Sequence, residues 1–513
     1  MSYTVDAVNP QLMADLLREQ ARLRPNIVGL KFEGAEYTYK QMNDRSNQTA
    51  AALKSLGVEQ GDRVAWLARN LGLFWDTIFG AAKIGAVLTP INWRLAPAEI
   101  AQILGDAQAK IFIGEKEFVA PLQEQSGTNL PQTLFLETGE GSFDDLVAVQ
   151  ATDEPDDEPT LDDIFVQLYT SGTTGLPKGV VLSNRAYKNS GDINIADGAV
   201  NPKSADECAL HALPHFHVAG VNFGLMAIAR SMPIIQLRQF DPVAIVKEAQ
   251  GPAPLNSFFV PAMIMMVLEA AKQMQAPVSS FANVSYGAAP MPEALLDAAM
   301  SAMPNADFTQ FYGATENCGA VTRLRHEDHA PGLPQRVSAG QPWSGIDVKV
   351  CDPENGKDLP VGETGEIRMR SGALLDEYWR RPDATAETVV DGWYRTGDAG
   401  YFDENGFLYV CDRVKDMIIS GGENIYPAEI ENALSDHASI LESAVIGVPD
   451  EKWGELVKAF VVKRVGEDLS SDDVVNFLSD KIAKFKLPRE VEFIDMLPRN
   501  ASGKILKTEL RKR

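Results

Sequence analysis

Two apolar segments, Ile164–Leu168 and Val180–Val181, flank the stretch Tyr169-Thr170-Ser171-Gly172-Thr173-Thr174-Gly175-Leu176-Pro177-Lys178-Gly179. The first segment reads as a buried strand. The flanked stretch is too rich in glycine and hydroxyl groups for an ordinary surface turn. Glycines let backbone N–H groups turn toward an anion, hydroxyls donate hydrogen bonds, and a lysine adds a movable positive charge. The stretch therefore reads as a phosphate-holding loop. It is not a Walker loop, because no Gly-Lys-Ser/Thr triplet opens a helix at the required spacing. Alone it names phosphate and no reaction.

The chain on either side predicts an α/β fold. Asn9 and Pro10 suit the start of a first helix carrying Leu12, Leu16 and Leu17 on one face. A helix over 39–56 ends at Gly57, a strand follows at 64–67, a helix at 71–84 and a strand at 87–91. Helix and strand go on alternating through 95–104 and 110–113, the pattern of largely parallel sheets covered by helices. A helix at 185–195, a strand at 234–236 and a helix at 242–249 continue it. The acidic, proline-broken connector Asp153–Asp163 reads as solvated surface. From about Cys351 the pattern changes to short strands with Gly-rich turns, and after Lys415 to a compact α+β unit. That unit should hold a helix from Pro427, strands at 443–447 and 457–463, a helix over 471–484 and a strand at 491–494. The expected architecture is a large multi-layered N-terminal domain (1–412) with a small β-rich part, a hinge (413–415), and a small mobile C-terminal domain (416–513).

The 513 residues allow two to four domains and a core that needs no disulfide or metal staple. A formal net charge of −24 argues against non-specific nucleic-acid binding and against an anionic membrane surface. It leaves a small anion in a local cationic cleft allowed. Cys208, Cys318, Cys351 and Cys411 are far apart and form no Cys-x-x-Cys pair, so structural zinc is not expected and a reducing cytoplasmic compartment is. The opening residues carry no basic region or apolar core, so no signal peptide is expected, and the apolar run Phe258–Leu268 is too short to span a bilayer.

Four further stretches combine residues that packing alone does not demand. Phe311-Tyr312-Gly313-Ala314-Thr315-Glu316 joins an aromatic face to a hydroxyl and a carboxylate, which suit a purine and a Mg²⁺ ion held against phosphate. Trp393-Tyr394-Arg395-Thr396-Gly397-Asp398 ends in an aspartate placed to accept from ribose hydroxyls. Asp412-Arg413-Val414-Lys415-Asp416 packs charges at the domain boundary, with Gly421-Gly422-Glu423 shortly after. Pro498-Arg499-Asn500-Ala501-Ser502-Gly503-Lys504 presents a lysine close to the C-terminus.

In this order, and over essentially the whole chain, the five stretches resemble the adenylate-forming superfamily of acyl- and aryl-CoA synthetases, peptide-synthetase adenylation domains and firefly-type luciferases. The resemblance implies that Thr170, Ser171, Gly172, Thr173, Thr174, Gly175 and Lys178 cradle the β- and γ-phosphates of ATP. Gly287, Ala288 and Ala289 would line the adenine pocket and Tyr312 would stack on the base. Thr315 would contact the α-phosphate and Glu316 would hold Mg²⁺. Asp398 and Arg413 would hold the ribose, and Lys504 would bridge the substrate carboxylate and the α-phosphate. Lys415 matches the pivot of a domain rotation that withdraws Lys504 after the first half-reaction. Gly421 and Gly422 would then border a tunnel for the pantetheine of CoA, with Trp453 and the basic stretch around Lys486 as further contacts.

The same resemblance makes His217, in Pro214-His215-Phe216-His217, the gate of the acyl pocket and a catalytic residue beside Lys504, Thr315 and Glu316. Val218, Ala219, Met263, Ile264, Ala288, Ala314 and Cys318 would supply apolar walls, and no aspartate stands where an amino-acid ammonium would need one. The implied reaction is AMP-forming acyl-CoA synthesis with ATP, CoA and Mg²⁺, a medium- or long-chain fatty acid leading. Aryl, cinnamate-type and alicyclic or steroid acids stay open, as do an enzyme loading a carrier protein, an oxygenase of luciferase type and a catalytically inert binding protein. The partners expected are the acid, ATP and CoA, with a homodimer left open.

Overall fold

The computed structural model describes residues 7–124, 130–137, 141–170, 177–198, 201–420, 423–450, 452–464, 466–479, 481–499 and 505–513. Two large sheets organise the greater part of the chain. The seven-stranded sheet runs, edge to edge, as Glu377–Tyr378, Lys178–Ser183, Ile164–Thr170, Val87–Pro90, Arg63–Leu67, Ile111–Gly114 and Gln132–Phe135. Its five strands from Ile164–Thr170 onward are parallel, and the other two pair antiparallel.

The nine-stranded sheet has six central parallel strands: Val28–Phe32, Ile234–Gln236, Cys208–His211, Leu255–Phe259, Phe281–Gly287 and Asp307–Ala314. Gly319–Leu324, Gln341–Pro342 and Ala35–Thr38 extend it antiparallel at its two margins. Phe281–Gly287 is buried at every position, as a strand covered on both faces must be.

The helices that cover these sheets start and stop where local chemistry dictates. Tyr39–Ser55 opens with a capping box: Gln41 N–H donates to Thr38 Oγ1 at 3.3 Å, and Thr38 N–H donates to Gln41 Oε1 at 2.8 Å. It ends before Gly57, whose φ of +78° suits glycine alone. Leu73–Lys83 is buried along nearly all its length. A Cβ on Gly224 would lie 2.0 Å from the ring of Trp75, so only glycine lets the helix Val218–Ala229 close on it.

The expected start of the first helix changes. The first helix spans Met13–Leu23, and Asn9 does not cap it. Asn9 Nδ2 donates instead to Asp192, and Met13 N–H donates to Asn184 Oδ1 at 3.0 Å, a cap supplied from far along the chain. The acidic connector lies mostly exposed, as expected, and is also clamped. Glu154 accepts from Arg18 (2.7 Å), Asn43 (2.7 Å) and Lys83 (3.2 Å), and Asp157 pairs with Lys54 at 2.7 Å. Lys83 is fully buried, so the strap brings a counter-charge to a cation that would otherwise have none. Phe258–Leu268 divides into the end of a strand and the start of the helix Pro261–Met274.

The β-rich part is an antiparallel sheet of Asp347–Cys351, Gly365–Arg370, Trp393–Phe402, Val389–Val390 and Leu408–Arg413. A 3₁₀ turn, Val414–Asp416, leads from it to Ile418–Ser420. That strand joins a last sheet with Glu423–Ile425, Ile440–Asp450, Gly454–Lys463 and Glu490–Phe493. Ile418, Ile430, Leu434, Val445, Val457 and Leu478 form this unit's own core. The helix expected over 471–484 ends at Ser479, and Lys484–Lys486 forms a separate 3₁₀ turn. The four cysteines are free thiols. Among the described residues no helix is long and apolar enough to cross a membrane.

Candidate active site

Parallel sheets present the carboxyl ends of their strands as the natural place for a ligand. Both large sheets deliver candidate residues there. Ile164–Thr170 ends at Thr170, which pairs in register with Lys178 as the strand returns. Ser171, Gly172, Thr173, Thr174 and Gly175 lie outside the described residues, so the structure fixes the two posts of the loop, Thr170 and Lys178.

In the nine-stranded sheet, Phe281–Gly287 ends at the expected adenine segment. A Cβ on Gly287 would sit 2.3 Å from the carbonyl oxygen of Phe311 on the adjacent strand, which excludes every other residue. Ala288 follows with φ of +65°, and Ala288 and Ala289 stand exposed on the lip of the sheet. Asp307–Ala314 ends beside it and passes into the 3₁₀ turn Thr315–Asn317. Thr315 is partly buried there and Glu316 is 9% exposed.

The β-rich sheet supplies the third wall. Asp398 and Arg413 face each other in register on adjacent strands, and Arg413 Nη1 lies 2.9 Å from Asp398 Oδ1. The same guanidinium nitrogen donates to the carbonyl oxygen of Thr396 at 2.7 Å. Tyr312 Oη donates to Asp398 Oδ2 at 2.6 Å, joining the aromatic–carboxylate strand to the ribose candidates. Burial, and then the negative Asp398, push the Tyr312 phenol well above its ordinary pKa, so it stays a donor.

A segment that the sequence did not single out ties the phosphate-loop strand to Glu316. Tyr378 pairs with Val180, and Trp379 N–H donates to Gly179 O at 2.7 Å. In the other direction Leu375 N–H donates to Glu316 O at 2.7 Å, and Tyr378 Oη donates to Glu316 Oε1 at 2.8 Å. Lys178 Nζ lies 4.9 Å from the centre of the Tyr378 ring. A two-residue strand at Glu377–Tyr378 carries no periodicity, which is why inspection of the sequence passes over it.

On the acyl side, His217 occupies the residue before the helix Val218–Ala229, and its ring meets Phe216 edge-on at 4.6 Å. Burial, with Arg94 nearby, lowers its pKa to about 4, so it is a neutral imidazole at neutral pH. Of the expected wall residues, Val218, Ala219 and Ala314 are partly exposed, whereas Ile264 and Cys318 belong to the core.

Among the C-terminal candidates, Gly421, Gly422 and Lys504 lie outside the described residues. Trp453 is exposed in the turn before Gly454–Lys463, with Lys452 Nζ 4.9 Å from its ring. Lys486 is committed to Glu429 at 2.6 Å. Lys415 is exposed in the turn between the two sheets it joins. Asp412 accepts from Ala428 N–H at 2.9 Å, and Lys507 lies between Asp412 (3.7 Å) and Glu431 (3.0 Å).

The strand ends that bring Thr170 and Lys178, the buried carboxylate of Glu316 and the Asp398–Arg413 pair together are the arrangement expected of an adenylate-forming enzyme. The chain resembles the o-succinylbenzoate CoA synthetase of Bacillus subtilis, solved with an acyl-adenylate intermediate, with a TM-score of 0.85 and 28% identity over 97% of this chain and 98% of that one. The sequence pattern of AMP-binding enzymes matches residues 17–379, and that of the AMP-binding enzyme C-terminal domain matches 429–504. The chain is 39% identical to a fatty acid–[acyl-carrier-protein] ligase of Streptomyces coeruleorubidus, over 96% of this chain and 94% of that protein. It is 38% identical to a long-chain-fatty-acid–CoA ligase of Mycobacterium tuberculosis, over 97% of each. The chain belongs to the AMP-binding enzyme family, in its branch of acid–thiol ligases.

Proposed function

We propose that this protein is an AMP-forming acyl-CoA synthetase for a medium- or long-chain fatty acid. The observation that carries the reading is the meeting of Lys178, Glu316, Tyr312, Asp398 and Arg413 through Tyr378 and Asp398 at one end of two sheets. The fatty acid is favoured by the apolar side chains after His217 and by the two fatty-acid ligases among its relatives.

The chemistry asks a carboxylate to attack the α-phosphorus of ATP, two anions approaching each other while charge grows on the phosphoryl oxygens. Preorganised donors and cations offset that charge. Lys178 and the loop hydroxyls hold the pyrophosphate end. Asp398 accepts from the ribose hydroxyls, its carboxylate held in place by Arg413. Thr315 donates to the α-phosphate. Lys504 bridges the acid and the α-phosphate, and leaves when the small domain turns at Lys415 so that the CoA thiol can attack the acyl-adenylate. His217, neutral, borders the path of the acyl chain without adding a second positive charge.

The residues present fit one Mg²⁺ ion. Glu316 offers a carboxylate whose Oε1 is oriented by Tyr378, and Mg²⁺ in nucleotide sites needs only one or two carboxylates besides phosphate oxygens and water. Bound there, the ion would neutralise phosphate charge.

The test is CoA-dependent AMP release from ATP over fatty, aryl and alicyclic acids, with a phosphopantetheinylated carrier protein as an alternative acceptor. Free acyl-CoA from fatty acids supports the proposal. Adenylate formation with acyl transfer only to the carrier protein replaces it with the loading reading, which the Streptomyces relative favours.

A further inference from the structure

The phosphate-loop lysine and the expected metal carboxylate stand on different sheets, and one side chain touches both. We propose that Tyr378 is a positioning residue of the ATP site, setting the carboxylate of Glu316 for a divalent cation while its ring supports Lys178. The inference rests on the function proposed above.

Four observations carry it. Tyr378 is 4% exposed, so its hydroxyl is not a solvent group that happens to lie near Glu316. It donates to Glu316 Oε1 at 2.8 Å, which fixes the carboxylate's rotation and leaves Oε2 as the oxygen to be turned toward a ligand. Its ring lies under Lys178 Nζ at 4.9 Å, within the range of a cation–π contact. Its backbone is held on both sides: Tyr378 pairs with Val180 in the phosphate-loop strand, and Leu375 N–H donates to Glu316 O at 2.7 Å. Side chain and backbone together set the separation of the two groups.

A hydrogen bond to a ligating carboxylate oxygen typically matters about as much as 10–100-fold in metal affinity or activity. The phenol suits the task because it can only donate to a carboxylate that must remain charged. A second carboxylate or an amide carbonyl in its place would repel Glu316.

Tyr378→Phe removes the hydroxyl and keeps the ring over Lys178. The Mg²⁺ concentration for half-maximal ATP–pyrophosphate exchange should rise about tenfold. The KM for the acid, and thioester formation from supplied acyl-adenylate, should not change. A direct readout accompanies it: calorimetric titration with ATP, in Mg²⁺ and in EDTA. The strengthening of ATP binding by Mg²⁺ should shrink in the variant while affinity in EDTA stays at the wild-type value. Tyr378→Leu, which also removes the ring, should weaken pyrophosphate binding further, and Lys178→Ala should abolish that additional loss. An unchanged Mg²⁺ dependence in a folded Tyr378→Phe protein, or equal loss with and without Mg²⁺, overturns the positioning role. If instead the wild-type protein neither binds ATP nor exchanges pyrophosphate, the proposed function itself fails.

Discussion

Tyr312 donates to Oδ2 of Asp398 at 2.6 Å while Arg413 holds Oδ1 of the same carboxylate at 2.9 Å. Both oxygens are thereby oriented, and under the proposed function the remaining lone pairs of the carboxylate receive ribose hydroxyls.

Asp398→Asn should therefore weaken ATP binding roughly 10- to 100-fold, the scale of one or two hydrogen bonds to a charged group at about 1.5–3 kcal/mol. The KM for the acid should stay within about twofold on the same reasoning, since acid binding makes no use of this carboxylate. Calorimetric titration with ATP reads the effect directly. An unaltered ATP affinity in a folded variant would remove Asp398 from the nucleotide site.

Lys504→Ala should abolish pyrophosphate exchange and leave acyl transfer from supplied acyl-adenylate to CoA largely intact. The two half-reactions are assayed separately. Equal loss in both would show that Lys504 serves the fold or both steps.

Glu154→Ala should destabilise the large domain through Lys83. The lysine is fully buried, and burial lowers its pKa to about 8 even with Glu154 3.2 Å away. Removing one partner of a buried pair costs about 3–5 kcal/mol. Because the Glu154 carboxylate is 43% exposed, about 2 kcal/mol is the better figure. A lysine pKa depressed on folding means that stability falls as pH drops from about 10.4 toward about 8 and is fully lost below it, and Glu154 contributes only while the folded lysine is charged, below about 8. The defect of Glu154→Ala should therefore shrink between about pH 7 and pH 9, measured by urea denaturation. A defect independent of pH would mean that the strap acts by packing alone.

Three histidines should make the native state sensitive to acid. His211, His217 and His329 all have pKa values lowered to about 4 by burial. For His329 the neutral form is also locked in place: Nδ1–H donates to Arg325 O at 2.7 Å, and Nε2 accepts from Tyr286 at 2.8 Å. Unfolded histidine titrates near 6.5, so below that pH the unfolded chain binds more protons than the folded one. The contribution is complete above about pH 6.5 and is lost as pH falls toward about 4. Denaturation midpoints should fall over that interval, and His329→Gln should flatten part of the slope. A slope unchanged in the variant would assign the acid sensitivity to other groups.

Much of this fold is legible in the sequence where the signal is local. Gly57 ends a helix because its φ is positive, and Ile164–Leu168 is a strand because a buried parallel strand is apolar on both faces. The phosphate loop, Glu316 and Asp398 stand out because packing does not call for such residues in those settings. What the sequence hides is pairing over distance. Asn184 caps a helix that begins 171 residues earlier, Glu154 reaches back to Lys83, and Tyr378 pairs with Val180. None of these contacts leaves a periodic mark, since each joins residues far apart in the chain whose types alone do not name the partner.

Glu377–Tyr378 is the outermost strand of the seven-stranded sheet, and it is made long after the strand it covers. Until it emerges from the ribosome, Lys178–Ser183 presents bare backbone donors and acceptors along an apolar row, Val180, Val181 and Leu182. Such an edge invites pairing with another chain. A nascent or proteolysed chain ending before Glu377 should thus be prone to aggregate through the strand that carries the nucleotide loop. The contact that joins the loop strand to Glu316 is thus also the one that closes this open edge, once synthesis has passed Tyr378.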